Sequence, residues 1–183
     1  MQTRPLRADA QRNRDRLLSV AVRAFSQDVP DVPLDAIARE AGVGIGTLYR
    51  HFPTREALVE AAYRTELDKL CDAAPALLTT LPPDLALRAW MDRFVDYMTT
   101  KRGMAEALKA VIASGGNPYA VSRDRMLAAV GSLLDAGITA GVLRADVPAA
   151  DVLTSLSGVT LAATGRDQAG RLLDLLVDAL KPR

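Results

Sequence analysis

The sequence holds one cysteine and one histidine among 183 residues. A single cysteine forbids an intramolecular disulfide and gives no sign of an oxidising compartment. Enzymatic chemistry needs a nucleophile with its base, a metal cluster or a cofactor loop. Cys71 and His51, with no acid–base motif around them, supply none of these. No catalytic residue, metal or cofactor is therefore expected, and the chain is read as a non-enzyme. Cys71 stands alone near the end of a helical pattern and is read as a packing residue. No run of about 18 apolar residues occurs, so neither a membrane span nor a membrane partner is expected. The N-terminus carries arginines without an apolar stretch behind them, which is not a secretory signal, and the expected location is the cytoplasm. A formal net charge of +1 leaves the overall balance silent about nucleic acid.

Apolar residues are plentiful, at 49%. That suffices for a core and argues against wholesale disorder. The length fits one full-sized domain, or a small domain joined to a larger one. Charge is unevenly placed: residues 1–16 hold Arg4, Arg7, Arg12, Arg14 and Arg16 against Asp9 and Asp15. Such a stretch is either a solvated tail or an arm suited to phosphate.

Helical periodicity dominates the chain. From about Ala10 to Gln27, Leu17, Ala21 and Ala24 form one stripe with Leu18, Val22 and Phe25 beside it, and Asp9 is placed to cap the start. The run Asp28-Val29-Pro30-Asp31-Val32-Pro33 breaks this helix. Two short helices follow, over about Leu34–Ala41 and Ile45–Phe52, and a longer one from Thr54 to about Asp72. Pro75 and Pro82-Pro83 mark a junction. Further helices are expected over Asp84–Thr100, Met104–Ala113, Tyr119–Ala140 with an interruption near Gly137 or Gly141, Val147–Ala163 and Asp167–Leu180. No strand and no repeat is evident, so the expected class is all-α with about nine helices.

The stretch Leu34 to Phe52 carries the functional signal. Two helices of about eight residues flank a glycine-containing turn, the spacing of a helix-turn-helix. Ala38 is small enough for the second helix to cross closely, Gly42 permits the turn, and Val43 and Leu48 fill the angle. Ile37 and Phe52 join both helices to the core. Leu48 and Phe52 define an inward face, which leaves Thr47, Tyr49, Arg50 and His51 outward. Gly44, Ile45 and Gly46 begin the second helix and face the groove floor or its wall. Tyr49 and His51 are suited to donate to phosphate oxygens. Thr47 has two options, a phosphate or a thymine methyl, and Arg50 likewise a guanine or a phosphate. Gly44 and Gly46 offer no side chain, so few base-edge readers remain and DNA shape gains weight. The series Gly42-Val-Gly44-Ile-Gly46 superficially matches a dinucleotide loop, but an amphipathic helix precedes it where a strand is required.

Ala36-Ile37-Ala38-Arg39-Glu40-Ala41-Gly42-Val43 resembles the first helix of the TetR family's DNA-binding motif. Gly46-Thr47-Leu48-Tyr49-Arg50-His51-Phe52 resembles its recognition helix, and Thr54-Arg55-Glu56-Ala57-Leu58 the start of its fourth helix. The resemblance covers about residues 10–60. It implies a helix-turn-helix DNA-binding domain over residues 1–55 and a helical ligand-binding and dimerisation domain over 56–183. It also implies a homodimeric regulator, most often a repressor, that binds a palindromic stretch of double-stranded DNA and leaves it when a small apolar effector binds. The chain departs from the pattern in three places. Val32-Pro33 stands where Ser or Thr often caps the second helix, Gly44-Ile45 where Ser or Thr and a basic residue are common, and Arg55 where Lys is commoner. Arg55 keeps the charge for a phosphate contact.

Beyond residue 60 the resemblance is one of length and helicity. Trp90, Phe94, Tyr97, Met98 and Met126 are the candidates for lining an effector pocket, with plain core packing as the alternative. The last two helices interleave leucines with Ser, Thr, Gly and Ala, and the final one is apolar on two sides. The family's dimer is a four-helix bundle of such pairs, which makes Leu153, Leu156, Leu172, Leu176 and Leu180 the candidate interface. A DNA-binding module without a small ligand, governed by a protein partner or by abundance, is the competing reading.

Overall fold

The structure is a computed structural model that describes residues 3–27 and 32–182, with side chains from residue 8 onward. Nine α-helices and no strand occur among the described residues: α1 Thr3–Phe25, α2 Leu34–Glu40, α3 Ile45–His51, α4 Arg55–Leu78, α5 Pro83–Gly103, α6 Ala105–Ala113, α7 Ser122–Thr139, α8 Ala149–Ala162 and α9 Arg166–Ala179. The all-helical class expected from periodicity is the class observed. No helix among the described residues is long and apolar enough to cross a membrane.

Several boundaries differ from the pattern-based expectation, notably at α1, α4 and α5. The first helix begins at Thr3, so Asp9 lies within it and caps nothing. Asp9 instead pairs with Arg12 one turn on. Pro5 is compatible with this early start because a proline in the first turn removes a donor that has no partner there. The side chains of Arg4 and Arg7 and residues 28–31 lie outside the described residues. The fourth helix runs through Pro75 to Leu78. An interior proline removes one helical hydrogen bond, but Ala73, Ala74 and Leu77 are all buried and hold the last turns in place. Asp84 sits in the first turn of α5 and not ahead of it.

The chain forms two compact units, Met1–Glu66 with Thr100–Pro118, and Leu67–Thr99 with Tyr119–Arg183. The first unit holds α1 to α3, the first three turns of α4, the end of α5, and α6. Its core is Leu17, Leu18, Ala21 and Phe25 from α1, Ile37 and Ala38 from α2, Leu48 from α3, and Leu58, Val59 and Ala62 from α4. The second unit buries one face of α5 through Ala86, Leu87, Trp90, Met91, Phe94 and Tyr97, at the spacing of three and four that one helix face requires. Within this unit α7 packs on α8 and α8 on α9. Leu133, Leu134, Val152, Leu153, Leu156, Leu173 and Val177 fill the space between them. Arg88 ties α5 to α9: its Nε donates to Asp174 and its Nη2 to the carbonyl of Gly170, while its Nη1 pairs with Asp92.

Candidate nucleic-acid interface

The turn between α2 and α3 is set by backbone hydrogen bonds. Gly42 adopts φ +68°, where a side chain is strained. Its N–H donates to the carbonyl of Arg39, and the N–H of Val43 to that of Ala38, both over 3.0 Å. These two bonds close α2 in the paired pattern that a left-handed residue permits. The chain then leaves at an angle that lays α3 across α2.

Packing fixes which side of α3 faces out. Leu48 is fully buried and Phe52, which ends the helix, is nearly so. Burying a side chain of that size contributes about 1.5–3 kcal/mol, enough to hold a two-turn helix in one rotational setting. Ile45 and Tyr49 consequently stand out, 41% and 48% exposed. Gly44, Gly46 and Arg50 are exposed beside them, and Thr47 and His51 are half-buried. No atom outside the immediate chain comes within 4 Å of where a Cβ would sit on Gly44 or Gly46, so both glycines border open space.

Two arginines brace the helices around α3. From α1, the Arg14 guanidinium lies 5.6 Å from the centre of the Phe52 ring. From α4, Arg55 donates to the carbonyl of Val32 and lies 5.1 Å from the centre of the Phe25 ring. Arg55, read from sequence as a phosphate ligand, is thus half-buried and engaged with its own protein. Arg23 and Glu40 pair over 2.8 Å and link α1 to α2. Thr54 accepts the N–H of Ala57 over 3.1 Å and caps α4. The bracing by Arg14 left no trace in the sequence pattern, because a cation over a ring joins residues 38 positions apart without periodicity.

The remaining candidates lie in the second unit. Trp90 and Phe94 are buried to 1% exposure or less, and Tyr97 is also buried. The three rings follow one another along α5, tilted by 31° and 44°, with centroids 5.9 Å and 6.3 Å apart. The Trp90 indole N–H donates to the carbonyl of Leu70 over 2.8 Å. Met98 and Met126 are half-buried. Leu153, Leu156 and Leu180, taken from sequence as interface leucines, are buried within the single chain and leave no side-chain surface for a partner. They occupy the faces of α8 and the α9 end that their own chain covers. Leu172 and Leu176 are half-buried, and the outer faces of α8 and α9 are carried instead by Leu161, 77% exposed, and Leu175, 65% exposed. An open groove of about 430 Å³ runs along α9, lined by Gln168, Arg171, Leu172, Asp174, Leu175 and Asp178. Periodicity alone did not separate the two apolar sides of α9, since each shows the same spacing. No group of three or more metal-ligating side chains occurs among the described residues.

Comparison with known proteins points to one family along most of the chain. A family model described as bacterial regulatory proteins of the tetR family matches residues 17–62. A second, described as the C-terminal domain of SbtR-like transcriptional regulators, matches residues 82–182. The crystal structure of a TetR transcriptional regulator from Streptomyces coelicolor is 55% identical, covers 92% of this chain and 98% of that one, and superposes with a TM-score of 0.86. A TetR transcription regulatory protein from Mycobacterium vanbaalenii is 36% identical, covers 97% and 100%, and gives 0.81. An HTH-type transcriptional regulator of Staphylococcus aureus (strain USA300) is 38% identical over 64 residues, which span 34% of this chain and about a third of the relative's length, 35%.

Proposed function

The chain belongs to the TetR family of helix-turn-helix transcriptional regulators, and we propose that it is a homodimeric, effector-responsive repressor that reads a palindromic operator with α3. The observation that carries the DNA contact is the outer face of α3. Ile45, Tyr49 and Arg50 are exposed on a helix whose opposite side, Leu48 and Phe52, is locked into the core. Gly44, Gly46, Thr47 and His51 complete that face. Arg55 acts from behind, by holding the end of α1 and the entry to α2. In a dimer the two copies of α3 enter successive major grooves about 34 Å apart. Affinity then comes largely from phosphate contacts through Tyr49, His51 and Arg50, and falls as salt rises.

In this reading residues 1–55 do the DNA binding, and residues 56–183 supply dimerisation and the effector site. The dimer face is Leu161 and Leu175 with the half-buried Leu172 and Leu176, which no residue of the same chain covers fully. The candidates for binding a small apolar effector are Trp90, Phe94, Tyr97, Met98 and Met126, the two methionines being the adaptable members. The effector releases DNA because it favours a conformation that binds the operator less well.

The test is selection of a binding site from random double-stranded DNA, followed by a gel shift with wild type and Tyr49→Ala. The expected result is an enriched palindrome, bound at dimer stoichiometry with strong salt dependence, and a large loss of affinity in the variant. Failure to enrich any sequence, or binding indifferent to Tyr49→Ala, sinks the reading.

A further inference from the structure

The start of α3 is chemically unusual for a surface that reads base edges. Side chains that discriminate bases in the major groove do so by hydrogen bonds or by apolar contact. Gly44 and Gly46 carry no side chain, and Ile45 between them carries neither donor nor acceptor. Ile45 is nonetheless 41% exposed. Tyr49, one turn on and 48% exposed, presents its ring beside it. The two form an apolar strip on the outer face of α3 with open space on either side, since a Cβ at Gly44 or Gly46 would meet nothing within 4 Å. A β-branched side chain in a helix is held near one χ1 rotamer, so the strip is stiff.

Only one feature of the major-groove edge of DNA complements such a strip, the C5-methyl group of thymine. Apart from the small C5–H edge of cytosine, the other base-specific groups there are hydrogen-bond donors or acceptors, which an isoleucine would desolvate without replacing. Bare glycines on both sides let the backbone come close enough for the Ile45 side chain to reach the groove floor. We propose that Ile45 is the specificity-determining residue at the start of the recognition helix, and that it selects thymine in each half-site by burying the C5-methyl group against its side chain and the edge of Tyr49. This rests on the DNA-binding reading above.

The experiment uses the full-length protein and the duplex selected from random DNA. Each thymine of a half-site is replaced in turn by 2′-deoxyuridine, which removes the methyl and keeps every hydrogen-bonding group. Affinity is measured for wild type, Ile45→Ala and Thr47→Ser, and thermal unfolding checks that each variant folds. Burial of one methyl predicts a loss of about fourfold at one position per half-site, and about sixteenfold when both half-sites are changed. Ile45→Ala is expected to bind the thymine and uridine duplexes equally, while Thr47→Ser keeps the wild-type discrimination. Three results overturn the proposal while leaving DNA binding intact: a selected half-site without a recurring thymine, indifference of the wild type to deoxyuridine, or discrimination that survives in Ile45→Ala. Failure of the wild type to enrich any duplex overturns both readings together.

Discussion

The guanidinium of Arg55, at the start of α4, lies 5.1 Å from the centre of the Phe25 ring at the end of α1. The same group donates to the carbonyl of Val32, just ahead of α2. One side chain therefore joins the end of α1, the entry to α2 and the start of α4. A guanidinium does this because it is planar, stacks on a ring face and offers fixed donors at its edge, whereas an ammonium is a compact charge. Arg55→Lys is expected to lower stability by about 1–3 kcal/mol in urea unfolding, the combined worth of a stacked cation and a charge-assisted hydrogen bond. If Arg55 served only as a phosphate ligand, lysine would preserve both stability and DNA binding, and that outcome would refute the bracing role.

Much of the DNA-binding unit was legible in the sequence because its determinants are local. Leu48 and Phe52 are four apart and both buried, and Gly42 sits where α2 must stop, so periodicity and one glycine were enough to orient α3. The bracing contacts of Arg55 were not legible because its partners, Phe25 and Val32, lie 30 and 23 positions away and no pattern connects them. The leucines of α8 and α9 posed the opposite difficulty. Leu153, Leu156 and Leu180 share their spacing with Leu161 and Leu175, and only the packing of α7, α8 and α9 decides which set is covered. Trp90 illustrates a third case: its indole N–H finds the Leu70 carbonyl on another helix, so a polar handle that sequence leaves open is satisfied in the core.

Gly103, at the end of α5, packs against the turn after α1. A Cβ there would fall 2.1 Å from the carbonyl oxygen of Ser26. That oxygen is backbone and has no rotamer by which to retreat, so the helices would have to part. Gly103→Ala is expected to destabilise by about 1–3 kcal/mol despite alanine's better helix propensity. Gly131, inside α7, has open space at the same position. Gly131→Ala is expected to stabilise by about 0.5–1 kcal/mol. Urea melts of the two variants should therefore move in opposite directions, and a Gly103→Ala protein as stable as wild type would show that α5 and α1 do not meet as described.

Cys71 is half-buried on α4, and burial pushes its thiol pKa up. The nearby Arg125 guanidinium works against this, and the carboxylates of Asp72 and Asp68 add to it. With the folded pKa above the unfolded one, the unfolded state loses its proton first as pH rises. The contribution to stability is complete below the ordinary thiol range and is lost as pH climbs through it toward the folded value. Alkylation of the native protein by iodoacetamide at pH 8 should accordingly be slower than that of the urea-unfolded chain. Equal rates would mean that the thiol is neither shielded nor shifted.

Leu161 and Leu175 are the most exposed large apolar side chains among the described residues, 77% and 65% open to solvent on α8 and α9. An apolar face of this kind costs solubility unless another surface covers it. In a two-fold dimer each leucine would be buried twice, once per subunit, at about 1.5–3 kcal/mol for each side chain. Replacing both with glutamate would put four carboxylates into that contact. The double variant Leu161→Glu, Leu175→Glu is expected to sediment as a folded monomer at concentrations where wild type is a dimer. Its affinity for a full palindrome should fall toward that for a single half-site, because the two copies of α3 no longer bind as one unit. Leu85, 52% exposed on α5, provides the control: Leu85→Glu adds a charge to an exposed leucine of another helix and should leave the dimer intact. A double variant that still sediments as a dimer would place the interface elsewhere, and a Leu85→Glu protein that dissociates would show that added charge alone explains the effect.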